Sequence, residues 1–129
     1  MKKALLQRAG LVPVPYDHVL ISFLPNRDKN GREFDVEPWE TEALKLQGRL
    51  FRGATSYPGR GSYRRSDEHG GIVEEKILLE TTRPVESFIK EQDFTPEALK
   101  QVADFLRRFK RETRQESVGI VVDGEMYYL

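Results

Sequence analysis

There is no cysteine among the 129 residues. Disulfides, thiolate nucleophiles and cysteine-held zinc are thereby excluded, and a reducing compartment suits the chain. Histidine is scarce as well, His18 and His69 being the whole supply. His69 has Asp67 and Glu68 beside it, but no second imidazole stands at ligand spacing, so no metal site is expected. Long apolar runs are missing too. Gln7, Arg8 and Gly10 interrupt the leucines that follow Lys2 and Lys3, which leaves no signal segment and no membrane span. The expectation is a cytoplasmic protein without membrane contact and without a cofactor. Net charge is absent: 21 basic side chains balance 21 acidic ones. A bulk pull toward nucleic acid or anionic lipid is excluded, so any such partner has to meet a local patch. No serine sits in a nucleophile-elbow setting, which argues against a triad hydrolase.

What is present suits one domain. Hydrophobic residues make up 38% of the chain and charged residues 33%, polar for a globular fold yet not of disordered composition. Residues 1–16 read as an N-terminal arm, a short helix followed by an extended Gly10, Pro13, Pro15 connection. Its Leu5, Leu6, Leu11, Val12 and Val14 are too apolar for a free tail and are expected to pack on the body or on a second subunit. Residues 17–129 form a single α+β domain.

His18 to Leu24 is the first strand, with Val19, Ile21 and Phe23 on one face and Leu20 and Leu24 on the other. Pro25 to Arg32 reads as a mobile solvent loop. A helix starts near Glu37-Pro38 and turns Trp39, Ala43, Leu46 and Leu50 inward. Gly53 is expected to end it in the left-handed conformation, and Gly48 to serve close packing on the sheet. Asp67 to Gly71 is a turn leading into a long strand, Ile72 to Thr82. Ala54–Tyr57 and Ser62–Arg65 are weaker strands pairing with it. Thr95 caps a second helix with Pro96 in its first turn, burying Leu99, Val102, Phe105, Leu106 and Phe109. Asp123-Gly124 between apolar runs signals a closing hairpin.

Strand, helix, strand, strand, helix, strand is the ferredoxin-like β-α-β-β-α-β order, with two helices on one face of an antiparallel sheet. The uncovered face is then expected to carry Leu20, Leu24 and Leu78. A monomer rarely leaves such a patch open, so a homodimer through that face is expected.

Val36-x-x-Trp39, Gly53-x-Thr55, a Glu-rich third strand and the closing Arg114-Gln115-Glu116-Ser117-Val118 resemble a small bacterial family known only as a domain of unknown function. The resemblance spans roughly residues 18–122. Members of that family usually carry an export signal, which this chain lacks. What the resemblance implies is a fold and no particular chemistry.

The stretch Arg52 to Arg65 gathers three glycines, a proline, two tyrosines and four arginines. Arg60, Arg64 and Arg65 offer guanidinium forks to phosphate or carboxylate, and Tyr57 and Tyr63 offer rings for stacking. It is not a phosphate-binding P-loop, since no Gly-Lys-Ser/Thr follows and a strand comes next. An edge strand with solvated arginines is the competing reading. Glu74 and Glu75 point to opposite faces of a regular strand, which would put one of them under the helices. It would pair there with Arg49 or Arg52, or act as a base of raised pKa. Arg107 to Arg114 could touch a nucleic acid backbone, although Asp104, Glu112 and Glu116 are interspersed. Gln115 is expected to hold orphan carbonyls at the helix end.

Two functions follow from these residues. The first is a non-catalytic dimeric binding or assembly module with an arginine-rich edge for an anionic small molecule or phosphate. The second is a small enzyme acting on an acidic small molecule, with Glu74 or Glu75 as acid-base. Local nucleic acid binding is a third, less favoured reading.

Overall fold

The computed structural model describes residues 1–66 and 72–129, with side chains described for all of these except residues 63, 65, 66 and 72–76. The Asp67-Glu68-His69 candidate therefore lies outside the described residues. Tyr63, Arg65, Glu74 and Glu75 are described in backbone only.

In chain order the elements are α1 (Lys2–Arg8), β1 (His18–Pro25), α2 (Glu37–Phe51), β2 (Thr55–Ser56), β3 (Gly59–Ser66), β4 (Ile72–Ile89), α3 (Pro96–Glu112), β5 (Gly119–Val122) and β6 (Glu125–Tyr128). A 3-10 turn at Glu91–Asp93 precedes α3. The fold is α+β, with six antiparallel strands in an open sheet ordered β2-β4-β1-β5-β6 and β3 also paired to β4. Two strands, β2 and β3, stand where a single strand would complete the simpler plan, and β6 extends the opposite edge.

β4 runs 18 residues, well past the expected end at Thr82. Its second half pairs with β1 from His18↔Ile89 to Pro25↔Thr82. The other side pairs with β2 at Thr55↔Glu86 and, in the same register, with β3 from Gly59↔Thr82. The break between β2 and β3 falls opposite Pro84. Thr81 and Ile89 turn their carbonyls toward the β1 side, accepting from Asn26 and Asp17, so alternation turns Pro84 toward the gap. A proline there has no N–H to give the ladder, and Tyr57-Pro58 occupies the missing pairs.

Period two divides β1 as expected, but the faces are exchanged. Leu20, Ser22 and Leu24 are fully buried under the helices with Val85, Ser87 and Ile89, while Val19, Ile21 and Phe23 lie half-buried on the open face. The reason is the polar residue between the leucines. Ser22 donates to Gln47 Oε1 at 2.7 Å, and Gln47 Nε2 donates to Val85 O and Ser87 Oγ at 3.1 Å. This satisfied buried cluster belongs to α2, whose buried residues are Ala43, Gln47 and Phe51. The helix is rotated from the expected stripe, and Trp39, Leu46 and Leu50 are only partly covered.

α2 ends with Arg52, not Gly53, in the left-handed conformation, at φ 74°. A Cβ at Gly48 would meet nothing, so that glycine serves no close packing. α3 starts as its sequence dictates: Thr95 Oγ1 accepts the Ala98 N–H at 3.2 Å, and Val102, Phe105, Leu106 and Phe109 are buried. Asp123 and Gly124 adopt φ 51° and 82°, the doubly left-handed turn that suits a two-residue hairpin.

The loop after β1 is held by bonds of its own. Arg27 donates to Gly31 O and Glu33, Asp28 Oδ1 accepts the N–H groups of Asn30 and Arg32, and Lys29 N–H reaches Arg114 O. Gln115 Nε2 donates to Arg27 O at 3.0 Å, so its side chain ties this loop rather than a helix carbonyl. No described helix is long and apolar enough to cross a membrane.

Candidate functional site on the open sheet face

β3 and β4 outrun the helix layer. Ile77 and Leu79 share the helix-side face by register, yet they are 55% and 59% exposed. The expectation that Glu74 or Glu75 is buried under a helix falls on side chains outside those described. The arginines expected to meet it are engaged elsewhere, Arg49 with Gln101 and Arg52 with Asp93 at 2.9 Å.

The arginine stretch is divided by alternation. Arg60 and Arg64 oppose Thr81 and Ile77, while Gly59 and Gly61 oppose Thr82 and Glu80 on the open face. Arg60 and Arg64 are exposed on an edge strand, Tyr57 is exposed at the β2–β3 break, and Tyr63 stands opposite Leu78. One face thus receives the two arginines and the other receives glycines. They do not converge on a single point.

The glycines make the more informative feature. Gly59 and Gly61 on β3 and Gly119 on β5 leave a trough on the open face, where side chains would otherwise stand. A Cβ at Gly61 would lie 3.8 Å from both Cγ and Oε1 of Glu80, and one at Gly59 would lie 3.3 Å from Thr82 Cγ2. Phe23, Glu80 and Thr82 floor the resulting cleft of about 500 Å³, Met126 and Tyr128 wall one side, and Arg60 to Ser62 border the other. That volume falls in the range of small-molecule sites.

Glu80 is the titratable group this cleft contributes. Burial raises its pKa above 4.5, and the Arg27 charge opposes that rise. Arg27 spends its guanidinium on Gly31 and Glu33, and no described residue bonds the Glu80 carboxylate. A half-desolvated, unpaired carboxyl can hold a cation, receive a hydrogen bond or move a proton. Sequence reasoning missed it because it weighed Glu74 and Glu75 on the same strand. The alternating glycines of β3 opposite Glu80 were the signal available.

A second cavity, about 690 Å³, lies between the arm residues Val14–Tyr16, the Phe51–Thr55 turn, Glu86 and Phe88. It is larger, but one wall is the arm, whose contacts with the body include Tyr16 on Phe88 at 4.7 Å and Asp17 N–H to Ile89 O. The Glu80 cleft stands on paired strands and is the better-defined site. No group of three or more His, Asp or Glu side chains among the described residues is placed to hold a metal.

His18 was passed over in the sequence and is closely engaged in the structure. Its Nδ1 lies 2.6 Å from Asp123 Oδ2, its Nε2 lies 2.6 Å from Glu91 Oε2, and its ring stacks on Phe94 at 3.8 Å. Both carboxylates raise its pKa above 6.5, Asp123 foremost. It joins β1, the hairpin turn and the 3-10 turn, well away from the Glu80 cleft.

No protein-family model matches the chain and no curated protein matches it, in keeping with the resemblance to a family without assigned activity. Solved structures do match in fold. A phage SAM lyase in complex with S-methyl-5′-thioadenosine is 13% identical, with a TM-score of 0.65 over 92% of this chain and 95% of its own. A phage SAM lyase in the apo state is 13% identical, with a TM-score of 0.63 over 92% and 94%. At that identity the likeness is one of fold, spanning nearly the full length of both chains.

Proposed function

We propose that this chain is a small enzyme whose substrate is a cationic metabolite held in the Glu80 cleft, with S-adenosylmethionine the first candidate. The observation that carries the reading is the half-buried Glu80 carboxyl, without a bonded partner among the described residues, facing a trough of glycines. The full-length fold likeness to a SAM lyase supports it as analogy. In an elimination, a base takes the proton from the carbon next to the sulfonium-bearing carbon. The C–H electrons form a carbon–carbon double bond, and the breaking carbon–sulfur bond returns its electrons to sulfur, leaving a neutral thioether. The protein then needs to supply a counter-charge, a positioned base and a shaped cleft, and Glu80 suits the first two roles. The substrate class thereby shifts from an acidic molecule to a cationic one, because no described residue bonds the carboxylate, Arg27 is spent on Glu33, and Arg60, which borders the cleft, stands opposite Thr81 on the other face of the sheet.

Incubation with S-adenosylmethionine, followed by chromatography for S-methyl-5′-thioadenosine, tests the proposal. Turnover that falls about 100-fold or more in Glu80→Gln is expected. Absence of turnover, together with no thermal stabilisation by either compound, would overturn it.

The binding-module reading keeps one observation: Arg60 and Arg64 are exposed on the same face of edge strand β3, with Ser62 between them. Salt-sensitive stabilisation by phosphate or a dicarboxylate, lost in Arg64→Ala and indifferent to Glu80→Gln, would favour it.

The partner in either reading is a second copy of this chain. Phe88, Met126 and Tyr128 on the open face, Ile77 and Leu79 on the β3–β4 ribbon, and Leu5, Leu11 and Val12 on the arm are all exposed. A two-stranded ribbon with bare apolar residues is poorly stable alone. Sedimentation showing a monomer would sink the dimer. We read the β1-α2-β2/β3-β4-α3-β5 core as ferredoxin-like, with its second strand interrupted at Pro58 and Pro84.

A further inference from the structure

At the opposite end of β1 from the arm, the loop after β1 meets the C-terminal end of α3. Lys29, Arg107, Lys110, Arg111, Arg114 and Gln115 line one shallow depression there, about 300 Å³ in volume. At about 100° per residue, Arg107, Lys110 and Arg111 share one side of the helix axis, and Arg114, just past the helix end, lines the same depression. Arg114 leaves the helix at φ 58°, and its carbonyl accepts the Lys29 N–H, which fixes the loop lysine beside the helical stripe.

Neutralisation across this face is incomplete. Asp104 takes Arg107 at 3.2 Å and Lys100 at 3.7 Å. The Asp28 carboxylate is held by the N–H groups of Asn30 and Arg32, with the Arg32 and Arg114 charges near it. Glu112 falls off the stripe, and Glu116 has an interaction of its own. Lys29, Lys110, Arg111 and Arg114 have no ion pair with any described residue. In a chain whose formal net charge is zero, that is a concentrated local positive field.

We propose that this basic corner docks the phosphate backbone of nucleic acid without reading its sequence. From Arg107 to Arg114 the stripe runs about 10 Å. Each strand of a duplex presents a phosphate about every 3.4 Å of axis, so the stripe faces about three of them and Lys29 beside it meets about one more. The lining holds no aromatic ring to stack on a base and no apolar anchor to enter a membrane. Backbone contact through charge is the chemistry that remains. The surface is independent of the Glu80 cleft, so either proposal can fail alone.

The test is fluorescence anisotropy of a labelled random-sequence DNA duplex titrated with the full chain across a salt series. The expected result is micromolar binding at low salt, with a log-log salt slope of about −4. In Lys110→Glu/Arg111→Glu the slope should drop to about −2 and affinity should fall at least about 10-fold, with circular dichroism checking that the fold is kept. No binding at low salt, or a double variant that binds with an unchanged slope, would overturn the proposal. So would displacement of the duplex by tripolyphosphate at equal phosphate concentration, or binding to anionic vesicles in preference to the duplex.

Discussion

His18 and Asp123 stand 105 residues apart in the chain and 2.6 Å apart in space. The same carboxylate accepts the Val19 N–H through Oδ1 at 2.9 Å, so one side chain closes the β5–β6 turn against the start of β1. Glu91 grips the other ring nitrogen at 2.6 Å. The imidazole adds a side-chain link among three segments that the Asp123 N–H to Val19 O bond and the His18↔Ile89 pair already bring together.

The clamp has a pH window. His18 is raised above 6.5, so its contribution is complete below that value and is lost as pH rises through the raised folded-state pKa. Asp123 is lowered below 3.8, chiefly by its bond to His18, so its contribution holds above 3.8 and is lost as pH falls through the lowered value. The clamp is strongest between those two limits. Melting temperature should decline on the alkaline side of this window, and His18→Gln should remove that decline. An identical alkaline slope in the variant would show that another group causes it.

Gln47 is 1% exposed and bonds Ser22, Val85 and Ser87. In Gln47→Leu the buried Ser22 hydroxyl loses its acceptor, whereas Ser87 keeps its bond to Gly53 O. The loss should be about 2 kcal/mol by urea denaturation, with about half regained when Ser22→Ala is added. A Gln47→Leu chain as stable as the parent would mean that the polar cluster does not select the buried face of β1.

Gly48 gives the opposite sign. A Cβ there would meet no atom within 4 Å, and glycine in a helix interior costs about 1 kcal/mol relative to alanine. Gly48→Ala should therefore raise stability by roughly that amount. A fall would point to close packing by a partner on this side of α2.

Much of this architecture was legible in local chemistry. Thr95-Pro96 fixed the start of α3, Asp123-Gly124 fixed the hairpin, and alternation in β1 divided its residues correctly. Which face of β1 is buried was not legible, since two leucines oppose two branched residues and a phenylalanine. A glutamine 25 residues on, meeting Ser22, decides it through tertiary contact. The extension of β4 through Pro84 was hidden because proline reads as a terminator, and the strand tolerates it only where β2 and β3 part. The site was half legible. The glycine-rich stretch drew attention for its arginines, whereas its open-face glycines matter through Glu80, on the neighbouring strand.

Glu80→Gln separates stability from activity. Burial raises the pKa above 4.5, so the protonated form suits the fold. That contribution is complete below 4.5 and is lost as pH rises through the folded-state value, so at neutral pH the parent bears the cost of a charged carboxylate. Glu80→Gln should melt slightly higher than the parent at pH 7 and no higher at pH 3, while losing ligand response and turnover. A variant less stable at pH 7 would mark Glu80 as a structural carboxylate and remove it as a site residue.

Gly61→Leu tests the cleft without touching its carboxyl. Gly61 is not among the residues with positive φ, so β3 accommodates a side chain there, and a Cβ would sit 3.8 Å from Glu80 Cγ, an ordinary contact. The rest of a leucine would extend over Glu80 and occupy the trough. Strand pairing should survive, with melting within a few degrees of the parent, because the change adds β-propensity and opens no void. Thermal stabilisation by S-methyl-5′-thioadenosine should then disappear, whereas Arg64→Ala, on the other face of the same strand, should preserve it. Retained ligand response in Gly61→Leu would move the site off this face altogether, with the cavity beside Tyr16 and Phe88 as the next place to look.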